Sequence, residues 1–324
     1  MPRVDGALND TREAPGEAMF RRILCPVDFS EESRRALEHA AAIARAWNSP
    51  LAVLHVYQAP SPFDAALDDA SAGADFEVGP CFDGTANDGE AGALDALRNF
   101  AQLIGDDVNA TFHAVHGTNA RRPIVRAADA LDVDLVVIGS HGRTGVERLL
   151  LGSTCDAVVR SATCSVLVVP PGAGPPHEGR FRRILCGIDF SAPSLRAFRY
   201  AMRLASEDAE VMLLHAIEVP PELHDRQIAA AFDVEAVRAA AEAAARRRLE
   251  ALSPGRDRPA VPIRAHVAEG PAHRRILETA LEQHADVIVL GTHGRNVLDR
   301  WIFGSNTRAV LPAAPCPVLA VAPA

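Results

Sequence analysis

Lysine is missing from this chain of 324 residues: all 33 residues counted as lysine plus arginine are arginine. A Walker-type phosphate loop needs a lysine to reach the phosphates, and Schiff-base or pyridoxal chemistry needs an amine nucleophile, so both are excluded. Excess basic charge is missing too. The formal net charge is −9, which argues against non-specific nucleic-acid binding, because that needs a basic stripe. Much of the negative charge is local, since residues 58–95 hold nine Asp or Glu and no Arg. Cysteines number only six and form no Cys-x-x-Cys pair. Cys25, Cys186, Cys164 and Cys316 read as small buried hydrophobes, and Cys155 is the one thiol beside expected chemistry. No apolar run approaches membrane-spanning length and no N-terminal apolar core suggests a leader, so the expected setting is a reducing cytoplasm with no membrane partner.

What is present occurs twice. Gly139-Ser140-His141-Gly142 is followed after nine residues by Gly152-Ser153, and Gly291-Thr292-His293-Gly294 is followed after nine by Gly304-Ser305. Upstream, Phe20 to Ser30 (FRRILCPVDFS) reappears as Phe181 to Ser191 (FRRILCGIDFS). The chain is therefore a tandem duplication. Its expected parts are a disordered N-terminal segment at 1–17, a first domain at 18–171 with the acidic insertion at 58–95, a Pro/Gly linker at 172–179 and a second domain at 180–324. The insertion's Gly, Asp and Pro content predicts a mobile loop beside the crevice.

In each copy short apolar strands alternate with helices. The first strand, Ile23 to Val27, leads through Asp28-Phe29-Ser30 into a helix with Ser30 as N-cap, Glu31 and Glu32 in its first turn, and Ala36, Leu37, Ala40, Ala41 and Ala44 as its apolar stripe. Further strands are expected at Leu51 to Tyr57, Thr111 to His116, Leu135 to Ile138 and Val166 to Val169, with helices near 92–103, 120–130 and after Ser153. The second copy runs in the same order, with strands at Ile184 to Ile188, Val211 to Ile217, Ile263 to Ala268, Val287 to Leu290 and Val318 to Val321. Repeated βαβ units imply a mainly parallel sheet covered on both faces. Ligands on such sheets bind at strand carboxyl ends where strand order reverses, and Asp28 and the glycine loop both stand at carboxyl ends.

Taken together, Cys25-Pro26-Val27-Asp28-Phe29-Ser30, Leu54-His55-Val56 and the Gly-x2-Gly-x9-Gly-Ser loop resemble the universal stress protein family, over nearly the whole chain and in two copies. The resemblance implies an α/β fold of two tandem doubly wound, five-stranded parallel-sheet (Rossmann-like) domains and the ATP-binding branch of the family. It implies that Asp28 and Asp189 contact the ribose or adenine side, with Pro26 and Val27 lining it, matched by Gly187 and Ile188. Val56 and Ala216 would meet adenine through their backbones, and Ile138 and Leu290 would pack on the base. Gly139, His141, Gly142, Arg143, Gly152, Ser153 and Thr154 would surround the phosphates, matched by Gly291, His293, Gly294, Arg295, Gly304, Ser305 and Asn306. The glycine in place of proline at 187 is a departure that leaves the second adenine wall open.

These residues also have plainer readings. A strand-end Asp is often a helix cap, and Ser153 and Ser305 read as caps and phosphate donors more than as nucleophiles. His141 and His293 have no Ser, Cys or carboxylate at triad spacing, which favours a structural or phosphate-contacting role. His55 and His215 read as satisfied core or crevice-edge histidines, and Arg246-Arg247-Arg248 as a solvated helix face. The expected function is an ATP-binding stress-response or regulatory module with two nucleotide sites, no catalytic residues and no metal held by protein ligands; Mg2+ or Mn2+ would ride on the phosphates. The alternative is a slow ATPase or an adenylating enzyme, but the loop after the first strand lacks the glycine pair of adenylating folds. A phospho-acceptor receiver would need an acidic pair and a lysine, and has neither. Expected partners are an adenine nucleotide, an unknown protein, and the other repeat through the apolar edge strands Val166 to Val169 and Val318 to Val321, as an intramolecular pseudo-dimer able to pair further as a homodimer.

Overall fold

A computed structural model describes residues 19–58, 88–142, 150–218, 234–252, 261–292 and 304–323. The expected disordered segment at 1–17, residues 59–87 of the acidic insertion, Cys81, Arg143, His293, Gly294 and Arg295 lie outside the described residues.

In the first copy the elements are β1 (Ile23–Val27), α1 (Glu31–Trp47), β2 (Leu51–Tyr57), α2 (Asp88–Phe100), β3 (Ala110–His116), α3 (Arg121–Ala130), β4 (Leu135–Gly139), α4 (Ser153–Ser161) and β5 (Ser165–Val169). The second copy supplies β6 (Phe181–Gly187), α5 (Ala192–Leu204), β7 (Ala205–Ile217), α6 (Val234–Glu250), β8 (Ile263–Glu269), α7 (Ala272–Glu282), β9 (Val287–Gly291), α8 (Ser305–Val310) and β10 (Val318–Val321). Several boundaries shift from the sequence reading, β6 for instance running Phe181–Gly187 where Ile184 to Ile188 was expected, and two shifts are the largest. Residues 88–95 of the acidic insertion are the opening turns of α2, where Leu97 is fully buried. The second strand of the second copy starts at Ala205, not Val211, because its polar start Ser206-Glu207-Asp208 still follows β6, with a register shift between Phe181 and Arg183.

The strands form a ten-stranded sheet in the order β3-β2-β1-β4-β5-β10-β9-β6-β7-β8. Pairing is parallel within each copy and antiparallel between β5 and β10, where Val168 faces Val318 and Val166 faces Ala320. Strand order reverses between β1 and β4 and again between β6 and β9. Side chains alternate between faces. Ile23, Cys25, Leu135, Val137 and Leu167 meet Ala36, Leu37 and Leu97 on one face, while Leu24, Val136, Ile138 and Val166 meet Ile124, Ala128 and Val158 on the other. The second copy repeats this, with Ala197, Phe198 and Leu249 on the first face and Ile276, Ala280 and Val310 on the second. Each face is thus a continuous apolar layer through both copies, which is why the strands read as near-unbroken hydrophobic runs.

Local rules set the helices that matter for the site. Ser30 and Ser191 cap α1 and α5, each hydroxyl accepting from the backbone N–H three residues on, at Ser33 and Ser194. Such caps contribute about 1 kcal/mol each. At its other end α1 stops at Asn48, whose positive φ of 50° lets its N–H reach the carbonyls of Ala44 and Arg45.

His39 lies wholly buried within α1, its Nδ1 2.8 Å from the carbonyl oxygen of Arg35. Burial pushes its pKa below the ordinary 6.5 and outweighs the backbone hydrogen bonds that act the other way. The unfolded chain therefore binds this proton more readily than the folded one. The His39 contribution to stability is complete above pH 6.5 and is lost as pH falls from there towards the depressed folded value. Melting temperatures measured between pH 7.5 and 5 should fall towards acid, and His39→Leu should flatten that slope.

Candidate functional site

At the β1/β4 switch point the sequence-predicted residues come together. Asp28 leaves β1 and presents Oδ1 to the amide of Ser30 at 3.1 Å and to its hydroxyl at 2.5 Å. Its other oxygen lies against the glycine loop: a Cβ built on Gly142 would stand 2.6 Å from Asp28 Oδ2. Asp28 is therefore not the helix cap. It braces the cap, Ser30, with one oxygen and faces the loop with the other. Asp189 repeats the brace, accepting from the Ser191 amide at 2.9 Å and the Ser191 hydroxyl at 2.5 Å. Burial raises the Asp189 pKa, but hydrogen bonds from Ser191, Ser194 and its own amide outweigh it and hold the carboxyl below the usual range.

Between the aspartate and the cap, Phe29 and Phe190 sit at φ 65° and 61°, a left-handed conformation that costs a bulky residue about 1–3 kcal/mol. The packing that holds it is the same in both copies. Phe29 lies on His55 with ring centroids 4.2 Å apart, Phe190 on His215 at 4.8 Å, and each histidine Nδ1 meets the carbonyl of the residue before the aspartate, Val27 at 2.8 Å and Ile188 at 2.7 Å. His55 and His215 are thus satisfied supports for this turn. Phe29 also meets Phe100 edge-on, whereas Phe190 carries the Arg248 guanidinium 3.7 Å above its ring. Arg246, Arg247 and Arg248 are exposed, as a solvated helix face requires, with Arg248 adding this ring contact and Arg246 pairing with Glu242 along the helix surface.

The loop strand ends are glycine for a packing reason. A Cβ on Gly139 would approach the Glu32 carbonyl oxygen to 3.0 Å, and one on Gly291 would come within 2.6 Å of the Pro193 carbonyl carbon. The first turns of α1 and α5 thus press directly on the loops. Beyond them Ser140 and Thr292 donate their amides to Val169 and Val321, tying each loop to the last strand of its copy. Gly152 donates to the Ser140 carbonyl at 2.8 Å and Gly304 to that of Thr292, so the two glycine stations of each loop close on one another. Gly152 and Gly304 hold the N-cap positions of α4 and α8, and neither helix has a side-chain cap. Ser153 and Ser305, expected as caps, are instead the first helical residues, followed by Thr154 and Asn306. Ser140 Oγ lies 2.8 Å from His141 Nδ1, while the buried Nε2 of His141 has no hydrogen-bond partner among the described residues.

At the other end of each site Pro26, Val56 and Ile138 share one sheet face by alternation, with Val56 and Ile138 in one apolar cluster. Val27 and Ile188 do not line this wall. Their side chains are buried in the cluster of the opposite face, leaving only their main chain at the strand end. In the second copy Gly187 lies under Leu290, whose Cδ2 would be 2.7 Å from a Cβ there, and Ala216 follows His215. Cys155 is buried in α4 and burial drives its thiol well above the ordinary range, as it does for Cys25 and Cys186, which disfavours the thiolate form in all three. Among the described residues no group of three or more His, Cys, Asp or Glu is placed to hold a metal ion.

With this geometry in place, a sequence profile of the Universal stress protein family matches residues 19–170 and 180–322. The chain belongs to that family. A universal stress protein of Mycobacterium tuberculosis is 32% identical over 197 residues, which are 58% of this chain and 61% of that relative, so the chain spans less than two thirds of it. A universal stress protein of Mycolicibacterium smegmatis is 27% identical over 93% of this chain and 97% of its own length. A solved universal stress protein from Archaeoglobus fulgidus superposes with a TM-score of 0.59 at 22% identity, covering 93% of this chain and 98% of that one, a likeness of fold. Among the described residues no helix is long and apolar enough to cross a membrane.

Sequence reasoning missed Ser33 and Ser194, whose hydroxyls meet the amides of Asp28 and Asp189 at 3.4 Å and 3.3 Å. The signal was available. Aligning the copies gives Asp-Phe-Ser-x-x-Ser in both, at 28–33 and 189–194.

Proposed function

We propose that this universal stress protein binds ATP at two sites, one per repeat, and acts as a stress-response or regulatory module of the cytoplasm with little or no turnover. The observation that carries the reading is the approach of the Asp28 carboxylate to Gly142. It joins the strand-end acid to the glycine loop at a switch point, the place where α/β sheets hold nucleotides. The residues fit the ligand in two further ways. The uncapped first turn of α4 leaves backbone donors at the loop, and the buried ring Nε2 of His141 has no hydrogen-bond partner among the described residues. In this reading Gly139, His141, Gly142, Arg143, Gly152, Ser153 and Thr154 take the phosphates, with Gly291, His293, Gly294, Arg295, Gly304, Ser305 and Asn306 in the second repeat. Pro26, Val56, Ile138, Gly187, Ala216 and Leu290 take the base. A magnesium or manganese ion would be held by phosphate oxygens and water.

Two observations support the reading of low turnover. There is no lysine anywhere in the chain, and the Cys155 thiol is buried. The two repeats act as an intramolecular pseudo-dimer through β5 and β10, with a further homodimer and a protein partner as the expected regulatory output. Denaturing freshly purified protein should release adenine nucleotide in up to two copies per chain. Incubation with ATP and magnesium should give hydrolysis far below about one per second, and robust turnover at or above that rate would replace this reading with an ATPase.

A further inference from the structure

The two repeats keep the same glycine spacing but differ at four positions that crowd the base end. In the first repeat a Cβ on Gly117 would stand 3.1 Å from both Pro123 Cγ and Val56 Cγ1, so a proline ring and a valine pack together at the carboxyl ends of β2 and β3. Pro26 and Ile138 complete that wall. A proline ring has no rotamers to speak of and a β-branched isoleucine is stiff at χ1, so the wall is rigid as well as apolar.

In the second repeat Gly187 replaces Pro26, Ala216 replaces Val56 and Leu290 replaces Ile138. The wall there is thinner, and its main side chain is the more pliant leucine leaning over Gly187. The proline is gone as well. Gly270, the counterpart of Gly117, has φ 120°, and a Cβ on it would stand 3.1 Å from Arg275 Nε and 3.3 Å from Arg275 Nη2. A guanidinium therefore lies against the glycine that Pro123 covers in the first repeat. Arg275 Nη1 donates to Glu278 at 2.6 Å, while its buried Nε has no hydrogen-bond partner among the described residues.

We infer that the second site also accepts a 6-oxopurine nucleotide, with Arg275 donating to the base, whereas the first site is confined to adenine. The inference rests on the nucleotide-binding reading above and specifies it. A 6-oxopurine offers O6 and N7 as adjacent acceptors, which a guanidinium fork pairs in two-point fashion; adenine offers an amino donor in place of O6. Among the described residues the wall formed by Pro26, Val56, Pro123 and Ile138 is built of apolar side chains, which offer O6 no donor.

Equilibrium dialysis of the wild-type chain with labelled ATP and with labelled GTP tests this. ATP should saturate at two per chain and GTP at one. In Arg275→Ala the ratio of GTP to ATP affinity should fall on the order of tenfold, and in Arg275→Gln, which keeps a donor, by less. GTP uptake at neither site or at both leaves the nucleotide reading standing and overturns the inference, as does an unchanged ratio in Arg275→Ala of wild-type melting behaviour. If that variant fails to fold, the wild-type stoichiometries alone decide. Absence of ATP uptake removes the nucleotide reading and this inference with it.

Discussion

Replacing Gly142 and Gly294 together by valine should abolish nucleotide binding, with an affinity loss on the order of a hundredfold or more at each site. The reason at Gly142 is steric and local. The first atom added to its Cα would stand 2.6 Å from Asp28 Oδ2, so either the loop or the carboxylate must move. Asp28 is not free to yield, because its other oxygen is engaged by the Ser30 amide and hydroxyl, and Ser30 in turn caps α1. The loop yields, and its backbone amides lose their common aim. Gly294 is the same station in the repeated sequence. Titration calorimetry with ATP, with circular dichroism as the fold control, reads the outcome; unchanged affinity in the folded double variant would remove the loops from the binding site. Single variants should each lose one of two stoichiometric equivalents, which separates a two-site protein from one whose second loop is vestigial.

The reach of the sequence depended on the range of the interaction concerned. Strand and helix identities in both repeats were legible because the periodicity is local and stated twice, and the Ser30 cap with its acidic first turn was legible for the same reason. The convergence of Asp28 and Gly142 followed from topology, since both end strands that flank a switch point. What was not legible lay in side-chain direction. Val27 and Ile188 adjoin the site in sequence yet point to the opposite face, because alternation along the strand decides the matter. Arg275 gave no signal of its own, for a charge in the first turn of an amphipathic helix reads as solvated until the packing against Gly270 is seen. The left-handed turn at Phe29 and Phe190 was equally hidden, since propensity argues against it and only contact with His55 and His215 sustains it.

Carboxylates at the seam should part the two repeats. Val168 and Val321 are essentially unexposed, and they sit in the two different apolar clusters, so Val168→Asp with Val321→Asp places one charge on each face of the sheet where β5 and β10 meet. Burying an unpaired polar group costs roughly 2–7 kcal/mol and an unpaired charge more. Other contacts also bridge the repeats, among them Phe20 and Tyr200 with ring centroids 6.0 Å apart. Arg180 lies 4.6 Å over the Trp47 ring at the end of α1 and donates to the Arg203 carbonyl of α5, and such a cation–π contact is worth about 0.5–2 kcal/mol. The paired substitutions therefore test the strand pair apart from these helix-side contacts. Small-angle scattering should show a larger radius of gyration for the double aspartate variant, whereas Arg180→Ala should leave the scattering profile as it is. Each repeat keeps four of its five strands in parallel pairs that the seam does not touch, so far-ultraviolet dichroism should persist as the halves separate. A double variant with an unchanged radius would mean that the α1–α5 contacts, and not the antiparallel strands, hold the repeats together.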